Sequence, residues 1–313
     1  MRAERRADDP GSEGPSIGVA PDEGLATSAT LGELVGLTIS KAARRLVSAE
    51  PLIEEGTDPD AVHRARVAVR RLRSDLRTFR PVLDRDWATA LRDELAWLGD
   101  LAAPVRDAEV LQARLQETLA TMPGGDPGPG KAIVDELETL RLGERRRLLA
   151  GLRTDRYREL AARLVAAGDD PHPRGDALDA PAADGLRLLD RPWKRLRAQA
   201  DRVGPDASDP TLHRLRILTK RVRYGAEALA PAVGKKARRT AEAAEALQEV
   251  LGEHQDAVVA IAWLSEHALA SDDPAMSFTA GRLAEIESAR HDRTRAEWPE
   301  IWRRLEKTHR RLG

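Results

Sequence analysis

Residues 63–84, HRARVAVRRLRSDLRTFRPVLD, align without a gap to residues 213–234, HRLRILTKRVRYGAEALAPAVG. His63 then matches His213, Arg66 matches Arg216, Arg70 matches Lys220, Arg73 matches Arg223 and Pro81 matches Pro231. Further along, LAAPVRDAEV (101–110) lines up with LGEHQDAVV (251–259), which sets Asp107 opposite Asp256. The offsets are 150 residues (63 to 213) and 149 residues (107 to 256), so the chain reads as a tandem duplication. The Pro- and Gly-rich stretch GDDPHPRGDALDAPAADG (168–185) marks the boundary. A first repeat is expected over 28–168, a linker over 169–183 and a second repeat over 184–313; residues 1–27, rich in Pro, Gly and charge, read as a disordered tail.

Periodicity decides the fold class. Val62, Ala65, Val69, Leu72, Leu76 and Phe79 recur at alternating steps of three and four, which is the apolar stripe of a helix. The second copy repeats it with Leu212, Leu215, Val222 and Leu229. An apolar content drawn mostly from Ala, Leu and Val, with only ten aromatic residues (6 Trp, 2 Tyr and 2 Phe), favours helix over sheet. Six helices are expected in each half: 28–50, 59–80, 84–101, 104–121, 131–151 and 153–167, then 184–203, 210–230, 235–251, 254–270, 275–292 and 294–312. Asp-Pro pairs at 58–59 and 209–210 supply start signals before the two basic helices. The expected fold is all-α, a duplicated helical unit in which a pseudo-two-fold arrangement of the halves would join the two basic helices into one continuous basic surface.

The charge on those helices is the functional signal. His63, Arg66, Arg70, Arg73 and Arg77 follow the helical stride one position after the apolar stripe, and His213, Arg216, Lys220 and Arg223 do the same. Residues 63–80 carry seven Arg against Asp75 (+6), and 213–224 carry five cations and no acid (+5). With a net charge of −1, the rest of the chain carries −12, so charge is segregated along the sequence. Like charges at i,i+4 cost about 0.2–0.5 kcal/mol per pair, and a helix that only supports a fold gains nothing by stacking them twice. The ridges read as a polyanion site. Arg supplies 44 of the 51 cationic residues (7 are Lys), and its fork matches phosphate oxygens bidentately. The clusters at 143–149, 155–160, 194–197 and 235–239 read more simply as solvated surface.

At these residues the chain resembles the CHAD family, the conserved histidine α-helical domain. VHRARVAVRRLRSDLRTFRP and LHRLRILTKRVRYGAEALAP carry the resemblance, together with the RDAEV, DRYREL and QDAVV segments. The resemblance covers about residues 28–313 and implies two helical bundles that bind inorganic polyphosphate on a central basic surface. It carries phosphate contact over to His63, Arg66, Arg70, Arg73, His213, Arg216, Lys220 and Arg223; Arg77 extends the first ridge. Two places depart from the family pattern: AAPVRD at 102–107, where Gly more often precedes the Arg-Asp, and Gln255, opposite Arg106. Neither is expected to touch the ridges. Asp107 and Asp256 are expected to orient ridge arginines by salt bridges. Histidines protonated beside phosphate predict tighter binding below about pH 6.5.

Other chemistries are weakly signalled. There is no cysteine, hence no disulfide or thiolate site, in keeping with a cytoplasmic location; the polyphosphate binding that the resemblance implies would extend this to polyphosphate granules. Neither a signal peptide nor a membrane span is indicated. GDPGPGK (125–131) fits P-loop spacing, but Ala132 replaces the metal-holding hydroxyl and two prolines remove amide donors, so it reads as an interhelical linker. His172, His254, His267, His291 and His309 show no metal-ligand spacing, and no nucleophile motif occurs, so no cofactor, metal or catalytic residue is expected. The expected function is a noncatalytic polyphosphate-binding module that targets granules or presents polymer to a polyphosphate-metabolising enzyme. Nonspecific nucleic-acid binding is the alternative, disfavoured because the ridges lack aromatics for base stacking. A polyphosphate-cleaving enzyme and a protein-binding scaffold are weaker readings.

Overall fold

A computed structural model of the chain describes residues 25–311 except Thr27, Gly125, Asp126, Pro173, Pro205 and Asp206. Residues 1–24, most of the expected tail, lie outside it. Among the described residues the protein is all-α. Its helices are α1 (Leu31–Glu55), α2 (Ala61–Thr78), α3 (Arg85–Thr121), α4 (Pro127–Leu152), α5 (Asp155–Asp169), α6 (Asp190–Ala200), α7 (Asp209–Val233), α8 (Lys235–Ala270) and α9 (Pro274–His309).

The helices begin where sequence chemistry supplies caps. Thr30 and Glu33 form a reciprocal capping box at the start of α1, with Glu33 N donating to Thr30 Oγ1 at 3.2 Å and Thr30 N to Glu33 Oε2 at 2.7 Å. Asp84 caps α3 through Trp87 N at 2.7 Å, and Asp273 caps α9 through Ala275 N at 2.9 Å. Gly234 alone joins α7 to α8, and its φ of 77° lies in the region that favours glycine.

Six helices per half was an overestimate. The breaks expected at 101–104, 251–254 and 292–294 do not occur, and the paired segments fuse into α3, α8 and α9. Pro104 removes one backbone hydrogen bond from α3, yet Leu98, Ala102, Val105 and Ala108 keep one buried stripe running through it. Continuous burial outweighs the lost bond. The helix expected at 184–203 is instead a 3₁₀ segment, Ala182–Leu189, followed by α6. The GDPGPGK linker is also corrected. Pro127 to Lys131 form the first turn of α4, where proline is tolerated and Lys131 pairs with Asp135.

Three apolar clusters hold the molecule. The first joins α1, α2, α5 and the N-terminal part of α3, and also takes in Ala226, Ala228 and Leu229 from α7. The second joins α6, Leu212, Leu215 and Val222 of α7, the middle of α8, and Trp298 and Trp302 of α9. The third packs Leu111 and Leu115 of α3 with α4, and with Ala260, Leu264, Ala280 and Leu283 of α8 and α9. Thus α7 feeds two cores, while α3 and α8 converge on the third. Residues 169–183 are stitched down at both ends: Asp84 N donates to His172 O at 2.9 Å and Leu31 N to Ala180 O at 2.7 Å.

Asp75, the lone acid of the basic helix α2, is fully buried, and both its carboxylate oxygens lack a hydrogen bond. Its nearest cation is Arg71, with Nε 3.5 Å away. Burial pushes this carboxyl up to about 7, against the opposing pull of Arg71. A carboxyl raised in the folded state binds its proton more tightly there than in the unfolded chain. Stability therefore falls as pH rises from the unfolded carboxylate range to about 7 and is flat above it. The full cost above pH 7 is on the order of 4 kcal/mol. Asp75→Asn should melt several degrees above the parent at pH 8, with the gap narrowing toward pH 5 in thermal scans. An equal gap at both pH values would remove the buried charge as its cause.

Candidate functional site

Four helices meet around a cleft of about 380 Å³. α2 contributes His63, Arg66, Val67 and Arg70; α3 contributes Arg106, Asp107, Val110, Leu111 and Arg114. α7 adds Arg216 and Lys220, and α8 adds Gln255, Asp256 and Val259. The geometry follows from the paired stripes. Each basic helix buries its apolar stripe in a core, so the cationic ridge one position away is carried to the edge of the contact between α2 and α7. There the two ridges face one space.

The cations in this space differ in how they are compensated. Arg66 donates to the Ala103 carbonyl at 2.7 Å and pairs with Asp107 Oδ1 at 2.9 Å. Arg106 pairs with Glu109 at 3.2 Å. Arg114 grips Glu253 with two nitrogens at 2.9 and 3.0 Å and reaches the fully buried Glu287 at 2.6 Å. Arg70, Arg216 and Lys220 have no ion-pair partner among the described residues, and the buried Nε atoms of Arg70 and Arg216 have no hydrogen bond.

That imbalance shows in the titration of the groups. Lys220 is pushed down to about 7, first by burial and then by Arg216, Arg70 and Arg66. A depression of this size is on the order of 5 kcal/mol against the charged form. Burial also lowers Arg216, with Arg70 and Arg66 adding to it against the pull of Asp256. His63 is lowered by burial and then by Arg106 and Arg70, so the free protein holds it neutral at pH 7. Asp256 is raised, chiefly by burial, despite the field of Arg216, Arg114 and Lys220.

Of the nine positions expected to contact phosphate, five line the cleft: His63, Arg66, Arg70, Arg216 and Lys220. Four do not. His213 hydrogen-bonds through Nδ1 to Gln255 Oε1 at 2.6 Å, just behind the lining. Arg223 is held by Glu227 at 2.7 Å and by Glu245 at 2.5 Å. Arg73 and Arg77 crowd with Arg92 and Arg221 instead, and desolvation followed by those neighbours lowers Arg77 to about 10 although its side chain stays exposed. The Nε atoms of Arg92 and Arg221 are also buried without partners, so these arginines form a second cationic cluster.

The two departures from the family pattern were expected to stay clear of the ridges, and they do not. Gln255 lines the cleft and holds His213, and the Ala103 carbonyl beside Pro104 accepts from Arg66. The expected role of Asp107 appears as its pair with Arg66, whereas Asp256 acts on Arg216 through its field without an ion pair within 4 Å. Arg106 and Arg114 were not singled out, because neither lies on a repeated basic stripe. The DRYREL segment serves the fold: Tyr157 donates to Glu50 at 3.0 Å and Arg156 pairs with Glu94 at 2.7 Å.

Cations left uncompensated destabilise the free protein, a cost that a bound anion would relieve. Sulfate should therefore raise the melting temperature more than chloride at equal ionic strength. Lys220→Met should melt above the parent in chloride and keep less of the sulfate gain. Identical responses of parent and variant to the two salts would show that the cleft carries no such strain.

The sequence model of the CHAD domain matches residues 38–265. The chain is 30% identical over 269 residues to the uncharacterized proteins Rv2226 and MT2285 from two strains of Mycobacterium tuberculosis; the match covers 80% of this chain and 49% of theirs. The chain thus spans about half the length of these curated relatives. Among solved structures, it is similar to the CHAD domain from the plant Ricinus communis (TM-score 0.71, 28% identity, 92% of this chain and 97% of the other). It also shares its fold with PptA from Streptomyces chartreusis (TM-score 0.71, 22% identity, 88% and 99%).

Proposed function

This chain belongs to the CHAD domain family, and on that premise we propose that it is a noncatalytic module that binds inorganic polyphosphate in the cleft between α2, α3, α7 and α8. The observation that carries this reading is the set Arg70, Arg216 and Lys220, three cations converging from two helices on one space with no ion-pair partner among the described residues. A phosphate chain supplies the missing acceptors along its whole length. Arg70 and Arg216 can each grip a phosphate with two nitrogens, and Lys220 acts as a point charge between them. The cluster of Arg73, Arg77, Arg92 and Arg221 offers a continuation for a chain longer than the cleft. The duplication inferred from the aligned ridges explains why two helices deliver the same cations, and α3 and α8 also start 150 residues apart (85 and 235).

Nucleic acid fits less well. Among the described residues no Phe, Tyr or Trp lines the cleft, so the large rings on which single-strand binders stack bases are missing from it. Tyr224 is buried, with Arg70, Arg71 and Arg223 packed 5.6–5.8 Å from its ring centre. Of the two acids of the lining, Asp107 is paired with Arg66, and Asp256 lies in the field of Arg216, Arg114 and Lys220, so they do not form the paired carboxylates that hold the metal ions of phosphoryl transfer. We assign the protein a targeting or presenting role toward polyphosphate granules or polyphosphate-handling enzymes. No helix of the described residues is long and apolar enough to cross a membrane.

The test is a competition titration with long-chain polyphosphate, tripolyphosphate, double-stranded DNA and single-stranded RNA at about 50 and 200 mM salt. Long-chain polyphosphate should win at both salts, and the double variant Arg70→Glu with Lys220→Glu should lose it. Arg77→Glu with Arg221→Glu should weaken the long chain while leaving tripolyphosphate nearly unchanged. Equal competition by nucleic acid per phosphate, or binding by the first double variant as by the parent, would sink the assignment.

The pH dependence carries a sign. A bound polyanion raises the affinity of Lys220 and His63 for protons, so binding takes up protons and strengthens as pH falls. Lys220 moves this effect above the pH 6.5 expected from histidine alone: affinity should fall as pH rises past about 7, and Lys220→Arg should flatten that limb. Dependence remaining below pH 7 reports His63. A flat profile from pH 6 to pH 8.5 would remove both groups from the contact.

A further inference from the structure

Three of the seven histidines are spent on ring stacking. His172 lies on Trp87, His267 on Trp263 and His309 on Trp193, with centroids 4.8, 3.6 and 3.7 Å apart. His254 and His291 are used differently. They sit 37 positions apart (254 to 291) on α8 and α9, which no local ligand motif would connect, yet the fold brings their rings to 4.4 Å. Both present Nε2 to one atom, Asp209 Oδ1 at the first residue of α7, at 3.1 Å from His254 and 3.0 Å from His291.

The outer hydrogen bonds decide what those Nε2 atoms carry. His291 Nδ1 faces Asp292 Oδ1 at 3.0 Å, an oxygen that can only accept, so the ring proton sits on Nδ1. The hydroxyl proton of Thr294 goes to the His291 carbonyl at 2.8 Å, which leaves the Thr294 oxygen to accept from His254 Nδ1 at 3.4 Å. In the neutral rings both Nε2 lone pairs then point at a carboxylate oxygen. A second proton on either ring can bridge its Nε2 to Asp209, and with both rings neutral one cation held between the three atoms satisfies all of them.

From this geometry we infer that Asp209, His254 and His291 form a site for a first-row divalent metal ion of the zinc class, clamping the start of α7 to α8 and α9. The three ligating atoms lie within 4.8 Å of one another. Ligands at the usual 2.0–2.2 Å from zinc stand roughly 3.4 Å apart in a tetrahedral shell, so small rotations seat the ion. Two imidazoles and one carboxylate favour zinc-like ions over magnesium or calcium, which take oxygen ligands. Asp292 and Thr294 act as the outer partners that set ring orientation. Arg295 Nη1 stands 3.5 Å from the same Asp209 oxygen and competes with the ion for it. The clamp lies one helical turn before His213, and His254 is followed directly by Gln255, the partner of His213. It would hold the register in which α7 presents Arg216 and Lys220. The site itself does not depend on what the cleft binds.

The experiment uses untagged full-length protein stripped with a chelator and free of polyphosphate, which would sequester the metal. Cobalt(II) should give a visible absorption band that saturates at one equivalent and is displaced by zinc, and zinc should raise the melting temperature. His291→Ala and Asp209→Asn should each weaken cobalt binding at least about tenfold while melting like the parent in chelator. Arg295→Ala should tighten it. Absence of a cobalt band in the parent, or parent-like cobalt affinity in both ligand variants, would overturn the site. If His291→Ala does not fold, the parent spectrum and the near-isosteric Asp209→Asn decide alone.

Discussion

Two basic helices packed against each other hold the structure to a single constraint: their cations must face one space without separating the helices. Lys220, Arg216 and Arg70 crowd there with lowered proton affinity or unmade hydrogen bonds. Apolar burial on the far side of each helix offsets that repulsion. Val62, Val69, Leu72 and Leu76 are buried on α2, and Leu212, Leu215 and Val222 on α7. The polar strain of the cleft and the apolar cores are therefore two faces of the same helices.

Compensation is selective. Outside the cleft, some cations of the basic helices are neutralised: Glu227 takes both Arg71 and Arg223, and Glu245 takes Arg223 again. The ring of Tyr224 lies among Arg70, Arg71 and Arg223 and softens their mutual repulsion. At the back of the cleft, Arg114 is absorbed by Glu253 and Glu287, and Glu287 is shared with Arg290 at 2.7 Å. Among the described residues, Arg70, Arg216 and Lys220 in the cleft are left without ion-pair partners, as are Arg73, Arg77, Arg92 and Arg221 outside it.

Helix α7 ties these features together. Its first residue gathers two histidines, its first half carries the second ridge over one core, and its second half is buried in the other. Gly234 then turns the chain directly into α8, whose own residues close the cleft. Displacement of α7 would disturb both cores and the cleft at once, so the position of its cations is set by the whole molecule rather than by a loop.

The sequence alone determined the all-α class, the two cationic ridges and the face each turns from its core, because these follow from helical periodicity within one segment. Five cleft residues were legible for the same reason. Tertiary structure decided the rest. Whether the breaks expected at 101–104 and 251–254 occur depended on the partners against which α3 and α8 bury their continuous stripes, and those partners lie on other elements. Arg223 and Arg73 carry the same stride as Arg70, yet they find Glu227 or the Arg92 cluster, since charge pairing is settled by neighbours distant in sequence. Arg106, Arg114 and Gln255 enter the cleft only because α3 and α8 pass beneath the ridges. Asp209, His254 and His291 meet because three helices converge there, and no spacing along one chain segment encodes a point defined by three.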